Sequence, residues 1–133
     1  MNKIYKPELS NISPKAVIGQ DCTIHSHVWI GDGVRIGDRV KIQAFAFLPP
    51  GVILEDDVFV GPHVCFTNDP EIANAKRFIP TPTLVKQGAR VGANATIRAG
   101  VTIGRNAMVG MGSVVLHDVK DGERVVGNPA RKL

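Results

Sequence analysis

The stretch Val28-Trp29-Ile30-Gly31-Asp32-Gly33-Val34-Arg35-Ile36-Gly37-Asp38-Arg39-Val40-Lys41-Ile42 decides the fold. An isoleucine recurs every sixth residue, at Ile30, Ile36 and Ile42, and a valine stands two residues before each. Working outward, the series runs back through Ile24 and Ile18 to Ile12, and forward through Leu48, Leu54 and Val60 to Phe66. It resumes at Val85 and continues with Val91, Ile97, Ile103, Val109 and Val115. The position four residues after each is small or β-branched, as at Ala16, Cys22, Ala46, Ala95, Ser113 and Val119. A period of six fits neither a 3.6-residue helix nor simple alternation. It fits a solenoid of short strands joined by sharp corners.

The period also divides the chain. Residues 1–11 read as an irregular cap, 12–66 and 85–119 as coils, 67–84 as a loop and 120–133 as a tail, all in one domain. Three hexapeptides per triangular coil predict an all-β solenoid of about five coils, stacked ~4.8 Å apart. Residues 18 apart then superpose. Phe66 to Val85 is 19 positions, one repeat plus 13 extra residues, which predicts one protruding loop; long loops in compact domains are usually functional. If the loop consumes one repeat, Ile24, Ile42, Val60, Val91 and Val109 share a corner. Gly61, Gly92 and Gly110 then line up, and Asn128 continues the step. Such a row suits a thin ligand lying along the axis, because backbone without a Cβ can approach closely; glycine also simply turns the corner. His63 falls on this corner. His27 shares its column two coils away, ~9.6 Å, too far to share a metal.

The composition narrows the function. A moderate net charge of +4 on 133 residues fits solubility or, more sharply, a surface that attracts phosphorylated small molecules. The basic residues are scattered and not interleaved with aromatics, so nucleic acid is not an expected partner. No apolar run reaches the ~20 residues of a membrane span, and Met1 to Ser10 lacks a secretory apolar stretch, which predicts the cytosol. Cys22 is inward and Cys65 outward, with neither zinc nor disulfide spacing. Trp29 points outward and suggests a subunit contact.

The repeat over residues 12–133 resembles the left-handed parallel β-helix acyltransferases, and the left hand comes from that resemblance. Leu54-Glu55-Asp56-Asp57-Val58-Phe59-Val60-Gly61-Pro62-His63 through Phe66-Thr67-Asn68-Asp69 is similar to nucleotide-linked 3-amino-sugar N-acetyltransferases. So are Thr83-Leu84-Val85-Lys86 and Gly92-Ala93-Asn94-Ala95-Thr96-Ile97. The tail Val126-Gly127-Asn128-Pro129-Ala130-Arg131 resembles a segment that lies near the coenzyme A nucleotide in many relatives. The resemblance implies a homotrimer, acetyl-CoA as donor, a nucleotide sugar as acceptor, a role in surface-polysaccharide synthesis and no metal. One departure stands out: Lys41-Ile42-Gln43 is followed by Ala44, where the relatives often carry Asn near the acceptor amine, and then by Phe45-Ala46-Phe47.

The residues divide into three roles under this reading. His63 and Asn68 are the catalytic candidates. Gln43, Asp69 and Arg77 are candidates for holding the acceptor, although Asn68 and Asp69 are equally residues that start turns. Gly92, Gly110, Asn128, Arg131 and Lys132 are candidates for coenzyme A. Attack by a sugar amine, pKa roughly 8, needs no strong base. Positioning supplies much of the acceleration, and backbone N–H groups at the Gly92 or Gly110 corner are candidates for the oxyanion. Two other readings remain open: an O-acetyltransferase or other acyltransferase of the same fold, and a non-catalytic β-helix scaffold. Zinc-dependent carbonic anhydrases of this fold require three histidines, and after His63 the next is His117.

Overall fold

A computed structural model describes residues 1–72 and 81–133. The chain winds as a left-handed parallel β-helix, with strands on three flat faces. The first face stacks Lys3–Ile4, Thr23–Ile24, Lys41–Ile42, Phe59–Val60, Arg90–Val91, Met108–Val109 and Arg124–Val126, and Arg131–Lys132 adds an antiparallel edge. The second stacks Asn11–Ile12, Trp29–Ile30, Phe47–Leu48, Cys65–Phe66, Thr96–Ile97 and Val114–Val115. The third stacks Val17–Ile18, Arg35–Ile36, Val52–Leu54, Thr83–Val85 and Thr102–Ile103.

The hexapeptide chemistry explains each coil. A short strand sends its second residue inward, and the residue before the strand also faces the axis. Val28 and Ile30 are buried while Trp29 between them is exposed. The axis fills with stacked aliphatics, including Ile24, Ile42, Val60, Val91 and Val109, all essentially inaccessible. Burying a side chain of this size stabilises the fold by about 1.5–3 kcal/mol. Cys22 is one of these core residues.

Between strands the backbone turns through left-handed residues. Nine of the described corner and cap residues with positive φ are not glycine, among them His27, Phe45 and His63. Glycine at the first corner position serves a different end. A Cβ on Gly61 would lie 2.7 Å from the Ala93 nitrogen, so its absence lets the next coil stack flush.

The expected register across the loop is present: Leu54 pairs with Val85, Val60 with Val91 and Phe66 with Ile97. The extra residues of the loop therefore leave the column order intact. Four details differ from the sequence reading. Residues 1–11 are not wholly irregular, because Lys3–Ile4 pairs with Thr23–Ile24. That strand and Arg124–Val126 extend the helix to about six turns, not five. The loop ends earlier than residue 84, since Thr83 and Leu84 pair with Val52 and Ile53. The last coil is two residues short: Ile103 bridges Val119 and Val109 pairs with Val125, steps of 16 where earlier coils use 18. Val119 consequently takes the first repeat position, not the fourth. Among the described residues no helix is long and apolar enough to cross a membrane.

Candidate functional site

The corner between the first and second faces carries the candidate site. Its first column runs from Gln43 to Gly61, Gly92 and Gly110, as the register requires. Val126, not Asn128, then continues it, because the short last coil shifts the tail by two residues. The Val126 side chain lies 2.8 Å from where a Gly110 Cβ would be. Beside this column, Gly92, Ala93, Gly110 and Met111 join Phe59 and Arg90 around a largely apolar cleft of about 360 Å³. Gly92 and Gly110 are thus brought together in one cleft. Asn128, Arg131 and Lys132 are not among the residues that line it.

Those glycines do not offer free amides. The Gly92 N–H donates to the Val109 carbonyl and the Gly110 N–H to the Val125 carbonyl, both at 2.8 Å. They are rungs of the coil-to-coil ladder, which corrects the expectation that they face a ligand. The next amides along the corner, at Ala93 and Met111, have no hydrogen-bond partner among the described residues. The missing Cβ of Gly92 makes room for the backbone of Val109 and Met111, and that of Gly110 for the Val126 side chain, so the glycines let neighbouring coils pack flush along the edge of the cleft.

Two positions further round the corner is a ladder of rings. The His27 imidazole stacks on Phe45, centroids 4.6 Å apart, and Phe45 stacks on His63 at 4.9 Å with planes 1° apart. All three occupy the left-handed region, φ 59°, 66° and 59°. A bulky residue there costs about 1–2 kcal/mol, and ring stacking of about 0.5–1.5 kcal/mol per pair offsets it. Tyr5 stacks on His25 and Trp29 on Phe47 on either side. Phe45 is half exposed and Trp29 and Phe47 somewhat less, so the rings present neighbouring aromatic stacks on this side of the helix. The sequence reading placed His27 and His63 in one column and singled out Trp29, Phe45 and Phe47 without stacking them; the signal was ring residues spaced by 18, and Tyr5, spaced by 20 from His25, was missed.

The loop leaves from the next corner, between the second and third faces. Asn68 donates from Nδ2 to the Pro50 carbonyl at 3.4 Å, and its own carbonyl accepts from the Thr81 amide. The Asp69 carboxylate accepts from the Glu71 amide at 3.0 Å, a local turn bond. Thr67 braces the base, accepting from the Ala99 amide and donating to the Ile97 carbonyl. His63 and Asn68 therefore stand at opposite ends of the strand Cys65–Phe66, on two different corners of one coil. A single chain does not bring them together. Arg77 lies outside the described residues. Burial pushes the Cys65 thiol up, so it is not an activated nucleophile.

The tail is anchored to the last coil. Buried Ser113 donates to the Gly110 carbonyl at 2.6 Å and accepts from the Gly127 amide at 3.2 Å. Arg131 and Lys132 form an exposed antiparallel edge with Val126 and Val125. They lie with His117, Asp118 and Glu123 around a small cavity of about 130 Å³ at this end of the helix. No group of three or more His, Cys, Asp or Glu suited to a metal occurs among the described residues.

Stacked hexapeptide coils with a glycine-lined cleft at one corner define a hexapeptide-repeat β-helix protein. The chain belongs to the bacterial transferase hexapeptide (six repeats) family, which it matches over residues 33–68 and 82–120. Residues 15–45 also match the hexapeptide repeat of succinyl-transferase. The bifunctional protein GlmU of Xanthobacter autotrophicus is 40% identical over 57 residues, 43% of this chain and 12% of that protein.

Solved structures superpose on the full length. A histidine-to-alanine variant of GDP-perosamine N-acetyltransferase from Caulobacter crescentus, in complex with CoA and GDP-perosamine, matches with TM-score 0.85 and 25% identity. The match covers 100% of this chain and 56% of that one. The acetyltransferase domain of PglB from Neisseria gonorrhoeae, in complex with acetyl coenzyme A, gives 0.85 and 25%, over 99% of this chain and 57% of that one. AntD, an N-acyltransferase from Bacillus cereus, shares the fold with TM-score 0.80 at 24% identity, over 99% of this chain and 76% of that one. This chain thus spans little more than half the length of the first two.

Proposed function

We propose that this chain transfers an acyl group, acetyl by its resemblances, from coenzyme A to the amine of a nucleotide-linked amino sugar. The observation that carries the reading is the apolar cleft at Gly92 and Gly110, on the same corner as His63, which stands two residues past Gly61 in the adjacent coil. Structures that superpose over essentially the whole chain hold coenzyme A or its acetyl ester, and one of them also holds GDP-perosamine. Coenzyme A is accordingly the expected co-substrate, with the pantetheine arm along the glycine column.

The chemistry needs little from the protein beyond placement. A neutral sugar amine attacks the thioester carbonyl, and alignment of two bound substrates lowers most of the barrier. The amides of Ala93 and Met111 are the donors available on this corner for the developing oxyanion. His63, exposed and held flat by Phe45, takes the amine proton directly or through water. Gln43 is one turn above the glycines, suited to the acceptor side. Asn68 and Asp69 reach the acceptor only from another subunit, since their own corner is turned away from His63. A homotrimer, with each cleft walled by a neighbour, fits that requirement and the exposed rings at Trp29 and Phe47. Arg77 belongs to the acceptor side and Asn128, Arg131 and Lys132 to the coenzyme A nucleotide. A cytosolic enzyme of surface-polysaccharide synthesis is the setting these assignments imply.

The amine is assigned to the 3-position from the resemblance of Phe66-Thr67-Asn68-Asp69 and its loop. Thiol release from acetyl-CoA, measured against nucleotide-linked 3-amino, 4-amino and non-amino sugars, tests the assignment. Turnover confined to a 3-amino sugar supports it. Turnover with a 4-amino sugar alone moves the amine, and turnover with a hydroxyl acceptor replaces N-transfer by O-transfer.

A further inference from the structure

The outer side of the first face carries a second feature that the acyl-transfer reading leaves unused. Lys41, Phe59 and Arg90 are direct neighbours on three adjacent strands, with Phe59 paired to both. Lys3 and Arg124 continue the column, so cations recur on alternate strands, ~9.6 Å apart by strand spacing. The column contains no acidic residue. The nearby carboxylates are already engaged: Asp57 accepts two hydrogen bonds from Arg39, at 2.8 and 3.1 Å, and Asp21 is bonded to the terminal ammonium of Met1. Lys41 and Arg90 are exposed and have no ion-pair or hydrogen-bond partner among the described residues.

These residues line a trough of about 550 Å³. Phe59 and Arg90 are common to it and to the apolar cleft at Gly92 and Gly110, so the two are continuous. One half is lined by Arg39, Lys41 and Arg90 together with the already engaged Asp21 and Asp57, and the other half is apolar.

We propose that Lys41 and Arg90 form an anion site for the diphosphate of a bound nucleotide, with Phe59 providing apolar contact between them. Two long cationic side chains rooted two strands apart can converge on a group between them, and a diphosphate presents several oxygens to both. The proposal rests on the acyl-transfer reading only for the source of that diphosphate, which both coenzyme A and a nucleotide sugar carry.

The test is calorimetric titration of the full chain with inorganic pyrophosphate, coenzyme A and UDP. Wild type is compared with Lys41→Gln/Arg90→Gln, and with Arg35→Gln, an exposed arginine on the third face, as the control for charge alone. Pyrophosphate binding about tenfold weaker in the double variant and unchanged in the control is the expected result. Weakening for coenzyme A alone assigns the site to the donor, and for UDP alone to the acceptor. Wild-type binding of pyrophosphate without coenzyme A or UDP keeps the anion site and removes the proposed function. Equal affinities in wild type and double variant, or no pyrophosphate binding by wild type, overturn the site. Matching circular dichroism melts establish that all three proteins are folded.

Discussion

Phe45 lies flat against His63, ring centroids 4.9 Å apart and planes within 1°, and His27 covers the opposite face. The ring that follows Ala44, the position that departs from the pattern of similar proteins, therefore lies against His63 on the corner of the candidate site. Phe45→Leu should lose about 1–2 kcal/mol of stability from two stacked contacts, and Phe45→Tyr should recover it. The His63 ring protons should move downfield in a two-dimensional NMR spectrum when the Phe45 ring current is removed. In the acyl-transfer assay kcat should fall several-fold with KM for acetyl-CoA unchanged. Full activity in the leucine variant would show that the stack is structural only.

His63→Ala should lower kcat by more than tenfold if the imidazole accepts the proton, within the range usual for general bases. The measurement is a pH–rate profile of both proteins. An identical profile with only a uniform drop would assign proton removal to the leaving thiolate or to water.

Gly92 and Gly112 separate clearance from conformation. A Cβ on Gly92 would fall 2.7 Å from the Met111 nitrogen and 2.9 Å from the Val109 oxygen, while at Gly112 nothing lies within 4 Å and only φ +70° is demanding. Gly112→Ala should cost about 1 kcal/mol. Gly92→Ala should cost more and also weaken acetyl-CoA binding. Equal thermal shifts with unchanged KM in both would contradict the role given to the glycine column.

Ser113 and Thr83 are the buried hydroxyl residues among the described residues, and Ser113 is the more deeply placed. Ser113→Ala should destabilise by about 1–2 kcal/mol, because the Gly127 amide loses its acceptor. The loss should be local. Amide exchange ought to accelerate at Gly127 and Ala130 while Ile42 stays protected, and uniform acceleration would refute it.

The Arg39 guanidinium holds the Asp57 carboxyl below its ordinary value of 3.8. A lowered carboxyl favours folding above the unfolded value and loses that contribution as pH falls through the folded one. Asp57→Asn should therefore lower stability slightly in the neutral range and converge with wild type in acid, which flattens the acid end of the curve; the effect is small because the pair is exposed. A steeper acid loss in the variant would contradict the sign.

The sequence by itself determined the β-helix, the stacking columns and the place of the loop. A six-residue period leaves one way to bury Ile24, Ile42 and Val60, and the resumption at Val85 preserves it because loop length does not affect which residues face the axis. The same arithmetic placed Gly61, Gly92 and Gly110 on one corner. It failed where the step changed. Two residues missing from the last coil put Val126 beside Gly110 and left Asn128 beyond it. Periodicity also cannot say which groups are already satisfied. Only the tertiary structure showed that the Gly92 and Gly110 amides are spent on the ladder. Only it placed Asn68 on a different corner from His63, turned Phe45 into the support of an imidazole, and left Lys41 and Arg90 unpaired while Arg39 was taken by Asp57. Burial follows from pattern because it is one-dimensional along a solenoid. Hydrogen-bond satisfaction and side-chain pairing depend on neighbours from other coils, and those exist only once the chain has wound.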